Sequence, residues 1–192
     1  MTKQTAITLG FTKQRKKPPE SMCRIVEGAL EFIFPDGWQA EKLDDSGFYR
    51  KHFQSFADSK SVDVAVIPPG QAELWLVEVK DYRTHPRSKM LDVFQEIATK
   101  VRDSLALLYL AKSKPESALH GFAQMAAATL KIRVALHLEQ PAKPSKLYPP
   151  VVQRNNAQLK LAQAVRVVDP HPLFCEMSSM PPSCPWAVMP MP

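Results

Sequence analysis

The chain has 192 residues, of which 45% are hydrophobic and 23% are charged, with a formal net charge of +6. These values are typical of a globular domain that buries a core, and the basic excess favours a polyanionic partner. The longest apolar run, LALLYLA at 105–111, is too short to cross a bilayer, so no membrane partner is expected. Three widely spaced cysteines exclude a disulfide framework. With no secretory signal, they indicate a reducing, cytoplasmic location.

The N-terminal segment 1–19 is predicted to be a basic flexible arm, because the cluster KQRKK at 13–17 leads into two prolines. Such a cluster is compatible with a solvated arm or with one that grips phosphate groups. A helix is predicted from Glu20 to Phe34, where apolar side chains share one face, and Pro35-Asp36-Gly37 ends it.

The segment 20–174 is predicted to form one mixed α/β domain, followed by a disordered tail rich in proline and methionine, 175–192. Apolar side chains at every second residue indicate strands, and spacings of three and four indicate helices. The predicted strands cover 38–43, 48–53, 61–67, 74–81, 131–139 and 164–169. The predicted helices after the first cover 88–111, 116–130 and 151–164.

The segments SVDVAVI (61–67) and LWLVEVKD (74–81) are predicted to form an antiparallel hairpin across a Pro-Pro-Gly turn. A register in which paired residue numbers sum to 141 opposes apolar residues throughout and sets Asp63 opposite Glu78. Lys80 lies two residues beyond Glu78 and therefore points to the same face of the ribbon.

This register places two carboxylates side by side, where they repel each other. Burial makes the arrangement unfavourable unless the acids are paired, hydrogen-bonded or bound to a metal. A hard divalent cation reverses the sign of the interaction, because Mg²⁺ prefers carboxylates together with water and phosphate oxygens. The alternative is a solvated sheet edge at which Lys80 neutralises one acid. Apolar residues on both faces of the strand around Glu78 favour the functional interpretation.

Asp63 followed by Glu78-Val79-Lys80, in the order helix, three strands, helix, strand, resembles the PD-(D/E)XK nuclease superfamily. The resemblance covers about residues 20–140 and departs from the signature at its proline, since Val62 precedes Asp63. It implies a restriction-endonuclease-like α/β fold with a three-layer core (αβββαβ), in which helices flank a mixed sheet.

The same resemblance assigns roles to the residues of the motif. It implies that Asp63, Glu78 and Lys80 are catalytic, with Lys80 as the catalytic lysine. It also implies that Asp63, Glu78 and the backbone carbonyl of Val79 bind Mg²⁺ or Mn²⁺. A metal of this kind stabilises charge on a phosphate and lowers the pKa of its bound water.

Further residues are candidates for supporting roles. Glu27 would be an additional metal ligand from the first helix, or else a solvated glutamate. Gln95 matches half of the Q-x-x-x-Y motif of recombination-type members, because Thr99 stands at the position of the tyrosine. Residues just beyond the motif combine basic groups with an aromatic ring, which suits contacts with nucleic acid or else a solvated loop and helix start. The candidates are Tyr82, Arg83, Arg87 and Lys89.

These interpretations favour a metal-dependent endonuclease that hydrolyses DNA, less often RNA, in antiviral defence, repair or mobile-element processing. The first alternative is a catalytically inactive protein of the same fold that binds nucleic acid or a protein partner. A second copy of the chain, in a homodimer, is a further candidate partner. The second alternative is a basic α/β scaffold without an active site.

Overall fold

The computed structural model describes residues 22–70, 73–85, 87, 91–141, 143, 145–147 and 150–191. The predicted basic arm, 1–19, and Lys89 lie outside the described residues. The strands are β1 Cys23–Glu27, β2 Leu30–Phe34, β3 Gln39–Lys42, β4 Val64–Ile67, β5 Glu73–Asp81, β6 Lys131–Glu139, β7 Leu173–Cys175 and β8 Ala187–Pro190. The helices are α1 Val93–Ala111, α2 His120–Ala127 and α3 Arg154–Val165, with one π-helical turn at Tyr49–Phe53.

The central element is a five-stranded mixed sheet with the order β3-β4-β5-β6-β7. Strands β3, β4 and β5 are antiparallel, whereas β5, β6 and β7 are parallel. Helices α1 and α2 lie between β5 and β6 along the chain and supply the long connection that parallel strands need. The predicted mixed α/β class is confirmed.

The two faces of this sheet have different cover. On one face the strands share a core with the helices, represented by Leu76, Ile97 and Leu161. On the other face Val77 packs with Phe32 of a second, three-stranded antiparallel sheet with the order β1-β2-β8. Among the described helices, none is long and apolar enough to cross a membrane.

The predicted hairpin register is confirmed. Strands β4 and β5 pair Val64 with Val77, Ala65 with Leu76 and Val66 with Trp75, so that each pair of numbers sums to 141. The predictions for β6 and α1 are also confirmed in their main extent, since both segments carry strongly periodic apolar residues.

The prediction of a helix over 20–34 is wrong, because Cys23–Phe34 forms the β1–β2 hairpin. Gly28 turns the chain with a φ of +57°, in the left-handed region that favours glycine. The side chains of Leu30, Phe32 and Phe34 are buried at every second position against the main sheet. The apolar pattern here is compatible with both periods, and packing against the second sheet selects the strand.

Three further predictions differ from the structure. Segment 48–53 was predicted to be extended but contains the π-helical turn, and the last parallel strand is Leu173–Cys175 rather than 164–169. Within the predicted disordered tail, β8 pairs with β2. Trp186 in that tail is buried, with its ring 5.2 Å from the ring of Trp75. Burial of this indole supplies the apolar area that orders the segment.

Candidate functional site: two carboxylate groups that share Asp63

The β4–β5 ribbon brings Asp63 and Glu78 together, as the register predicts. Both residues are buried, and the side chain of Glu78 is 0% exposed. Asp63 Oδ2 accepts a hydrogen bond of 2.6 Å from the amide N–H of Val79, which fixes the aspartate against the neighbouring strand. Val79 therefore contacts Asp63 through its amide N–H, whereas the resemblance assigns a role to its backbone carbonyl.

Two lysine ammonium groups form ion pairs with Glu78. Its Oε1 lies 2.5 Å from Lys80 Nζ and 2.6 Å from Lys100 Nζ. Lys100 Nζ also lies 3.3 Å from Asp63 Oδ1, so one ammonium contacts both acids at the position predicted for a shared metal. Burial lowers the pKa of Lys100, but Glu78 and Asp63 together raise it above its ordinary value. We refer to Asp63, Glu78, Lys80 and Lys100 as the inner group.

Glu78 is poised to change protonation near neutral pH. Burial and then the charge of Asp63 raise its pKa to about 7, although Lys100 and Lys80 act in the opposite direction. Its Oε2 is buried and has no hydrogen-bond partner among the described residues. A carboxyl with these properties is suited to hold or release a proton at neutral pH.

Helix α1 contributes two residues of the site that the sequence analysis missed. Lys100 and Glu96 stand four residues apart on one face of α1. Glu96 Oε1 lies 3.6 Å from Lys80 Nζ, and its Oε2 lies 2.8 Å from Arg87 Nη2. The signal in the sequence is a Glu and a Lys beside the apolar stripe of α1, which marks charges close to the core rather than in solvent.

Hydrogen bonds hold α1 at the start of β4. Ser104 Oγ accepts a bond of 2.8 Å from the amide N–H of Val62 and donates one of 2.7 Å to the carbonyl of Lys100. Asp103 Oδ2 accepts a bond of 3.1 Å from the amide N–H of Lys60. The register of the helix against the sheet, and with it the position of Lys100, is therefore fixed by polar contacts.

A second set of acids also lies close to Asp63. Glu27 ends β1 and Asp44 follows β3, and one carboxylate oxygen from each lies within 4.8 Å of an oxygen of Asp63. We refer to Glu27, Asp44 and Asp63 as the outer group. Glu27, the predicted additional metal ligand, is thus brought to Asp63, although from a strand rather than a helix. Asp44 was missed, because only the sheet pairing brings it near the others.

The outer group has the composition of a site for a hard cation. Burial, followed by the charges of Asp63 and Glu27, raises the pKa of Asp44 to about 6. Asp44 Oδ1 is buried without a hydrogen-bond partner among the described residues, while Glu27 Oε2 lies 2.8 Å from Lys42 Nζ. Three carboxylates, of which Asp44 has a buried oxygen without a hydrogen-bond partner, fit the ligand preference of Mg²⁺ or Mn²⁺.

The described residues that were predicted to contact nucleic acid bind other side chains of the protein. Arg83 Nη2 lies 2.6 Å from Asp81 Oδ2. Arg87 donates to Tyr82 Oη at 2.7 Å in addition to its pair with Glu96. The last predicted supporting residue, Gln95, is exposed beside Ala164 of α3 and is not brought to Glu78.

Comparison with known proteins finds one similarity that bears on function. The chain is 33% identical over 159 residues to the cysteine–tRNA ligase of Neisseria meningitidis serogroup A / serotype 4A (strain DSM 15465 / Z2491). The match covers 67% of this chain and 23% of the ligase, so the chain spans about a quarter of the length of that enzyme. No family model and no solved structure matches the chain.

This similarity contradicts the predicted function. The relative is a tRNA ligase, an enzyme with a different activity from the metal-dependent DNA endonuclease that the motif suggested. Asp63, Glu78 and Lys80 do lie together, but a short motif in the expected geometry does not identify the reaction.

Proposed function

We propose that this chain is a tRNA-binding module related to a part of a cysteine–tRNA ligase. The observation that carries the proposal is the 33% identity over 159 residues to that enzyme. Because the match covers only 23% of the ligase, the proposal concerns a module that assists aminoacylation or handles tRNA, and not the ligase reaction itself. The net charge of +6 is compatible with a polyanionic ligand.

We further propose that the inner and outer groups form the part of the module that contacts RNA phosphate. Glu27, Asp44 and Asp63 would hold Mg²⁺ or Mn²⁺, which supplies positive charge opposite a phosphate group when bound. The ammonium of Lys80, whose side chain is 16% exposed, reaches the edge of the site and would donate to a phosphate oxygen.

We also propose that the fold of the chain is related to the restriction-endonuclease-like fold. An antiparallel β3–β4–β5 unit, a crossover through α1 and a parallel β6 support a restriction-endonuclease-like core. The second sheet, β1-β2-β8, would then be an addition to that core. In this proposal the fold serves as a scaffold for RNA binding.

The test is a binding measurement on the full chain with a cysteine tRNA transcript and a DNA duplex of similar length. We expect tighter binding of the tRNA, strengthened by Mg²⁺ relative to EDTA and weakened by salt. Equal affinity for tRNA and DNA, or no binding of tRNA, would contradict the proposal. A gel run in parallel reports whether the tRNA is recovered intact.

Lys80→Ala tests whether the site itself takes part. Loss of one phosphate contact is expected to weaken tRNA binding. It is also expected to reduce the slope of the logarithm of the binding constant against the logarithm of the salt concentration by about one. Lys160→Ala is the matched control, since Lys160 is exposed on α3, far along the chain from the inner group. Tight tRNA binding that Lys80→Ala leaves unchanged would place the RNA elsewhere on the protein.

A further inference from the structure

A cavity lies between the π-helical turn and the end of α1, and none of the residues that line it belongs to the site described above. Its volume is about 710 Å³, and its walls come from the π-helical turn with its flanks and from the end of α1 with the loop that follows. Three phenylalanines contribute to the lining, together with two lysines and one glutamate: Phe48, Phe53, Phe56, Lys51, Lys114 and Glu116. We refer to it as the Phe56 pocket.

Phe56 is exposed and is followed by two residues in an unusual backbone conformation. The side chain is 63% exposed although it is a large apolar group. The next two residues, Ala57 and Asp58, have φ values of +53° and +52°, in the left-handed region that residues other than glycine rarely adopt. Such strain persists where the surrounding structure requires it and is concentrated at ligand sites. The π-helical turn, which ends three residues before Phe56, is a second irregularity of the kind found at functional sites.

The pocket combines aromatic surface with positive charge. Lys51 and Lys114 are exposed on two sides of it, and the ring of His52 lies 5.6 Å from the ring of Phe48. Aromatic side chains beside cations form the usual platform for an unstacked base and its phosphate. Glu116, the acidic residue among those lining the pocket, offers an acceptor for a hydroxyl group.

We propose that the Phe56 pocket binds one unpaired ribonucleotide of an RNA. The base stacks on Phe56, Lys51 and Lys114 contact the phosphate, and Glu116 accepts a hydrogen bond from the ribose 2′-hydroxyl. The last contact distinguishes RNA from DNA. This inference rests on the proposed function, because it names an RNA contact for the same tRNA-binding module, and it adds a site that is separate from the carboxylate groups.

The test measures binding of a labelled single-stranded oligoribonucleotide, its DNA counterpart and a ribonucleoside monophosphate to the full chain. Phe56→Ala is expected to weaken binding of the oligoribonucleotide and of the mononucleotide by about tenfold, the typical effect of one base–aromatic stack. Glu116→Ala is expected to reduce the preference for RNA over DNA. The control is Tyr109→Ala, because Tyr109 is an aromatic residue with similar exposure, 67%, and does not line this pocket.

The outcomes separate this inference from the proposed function. If tRNA binds but Phe56→Ala behaves like Tyr109→Ala, the pocket is rejected and the tRNA proposal stands. If the mononucleotide binds in a manner that depends on Phe56 while tRNA does not bind, the pocket is supported and the tRNA proposal fails. If the wild-type chain binds neither the oligoribonucleotide nor the mononucleotide, the pocket is rejected. Thermal unfolding of each variant shows whether a loss of binding reflects a loss of fold.

Discussion

The inner and outer groups share Asp63 but balance their acids in different ways. In the inner group, Glu78 lies within 2.6 Å of two lysine ammonium groups, so the protein supplies the cations. In the outer group, Glu27 is paired with Lys42, while Asp44 keeps a buried oxygen without a hydrogen-bond partner. The inner group therefore sets two acids against two lysines, whereas the outer group sets three acids against one lysine and retains capacity for an added cation.

The first and largest expected effect tests how much the lysines of the inner group contribute to stability. Lys100→Met removes one of the two cations from Glu78 and the cation that contacts Asp63, leaving buried acid that is only partly compensated. We expect the free energy of unfolding to fall by about 4 kcal/mol at pH 8, as for other broken buried ion pairs. Urea unfolding measures the change.

The matched control is Lys160→Met, which alters an exposed lysine on α3. Its effect is expected to stay within about 0.5 kcal/mol of wild type, as is usual at surface positions. If Lys100→Met were as mild as this control, the cluster around Glu78 would contribute little to stability, and the contrast between the two groups would be lost.

The second prediction concerns the proton of Glu78. Its folded-state pKa of about 7 lies above the ordinary value of 4.5, so the folded chain retains a proton that the unfolded chain releases. This contribution to stability is complete below about pH 4.5 and is lost as the pH rises through about 7. It corresponds to about 3 kcal/mol.

Glu78→Gln cannot titrate, so its stability is expected to change less between pH 5 and pH 8 than that of the wild type. Asp44 titrates in the same range, with a pKa of about 6, and is present in both proteins. The difference between their pH profiles therefore isolates Glu78. Parallel profiles would show that Glu78 is ionised across this range.

The parts of the site that were predictable are those that depend on local pattern. Strict alternation on β4 and β5 with a short turn determines which residues oppose each other, so the proximity of Asp63 and Glu78 follows from the sequence. Lys100 reaches them only because α1 packs across the sheet, and Asp44 only because β3 pairs with β4. Contacts of this kind depend on tertiary packing and leave only a weak signal in a local window.

The same distinction accounts for the errors in the fold. The β1–β2 hairpin was mistaken for a helix because its apolar residues suit either period, and the choice is made by packing on the main sheet. The C-terminal segment has the composition of a disordered tail, yet Trp186 and the pairing of β8 with β2 order it. Composition alone does not reveal that an edge strand elsewhere in the chain offers a partner.

The third prediction asks which group takes a metal. Mn²⁺ is expected to raise the free energy of unfolding of the wild-type chain by about 2.7 kcal/mol at a concentration about 100 times its Kd. Asp44→Asn removes a charge from the outer group and is expected to abolish most of this increase. Glu78→Gln leaves the outer carboxylates in place and is expected to preserve it, because Lys100 occupies the position between Asp63 and Glu78.

The opposite pattern would reverse the assignment of the two groups. If Glu78→Gln abolished the effect of Mn²⁺ and Asp44→Asn did not, the metal would displace Lys100 and bind between Asp63 and Glu78, as the sequence motif implies. Binding of Mn²⁺ must also strengthen as the pH rises through the range in which Asp44 loses its proton, because the metal competes with protons for the carboxylates. A midpoint of that pH dependence near 6 supports the outer group, whereas a midpoint near 7 that disappears in Glu78→Gln supports the inner one.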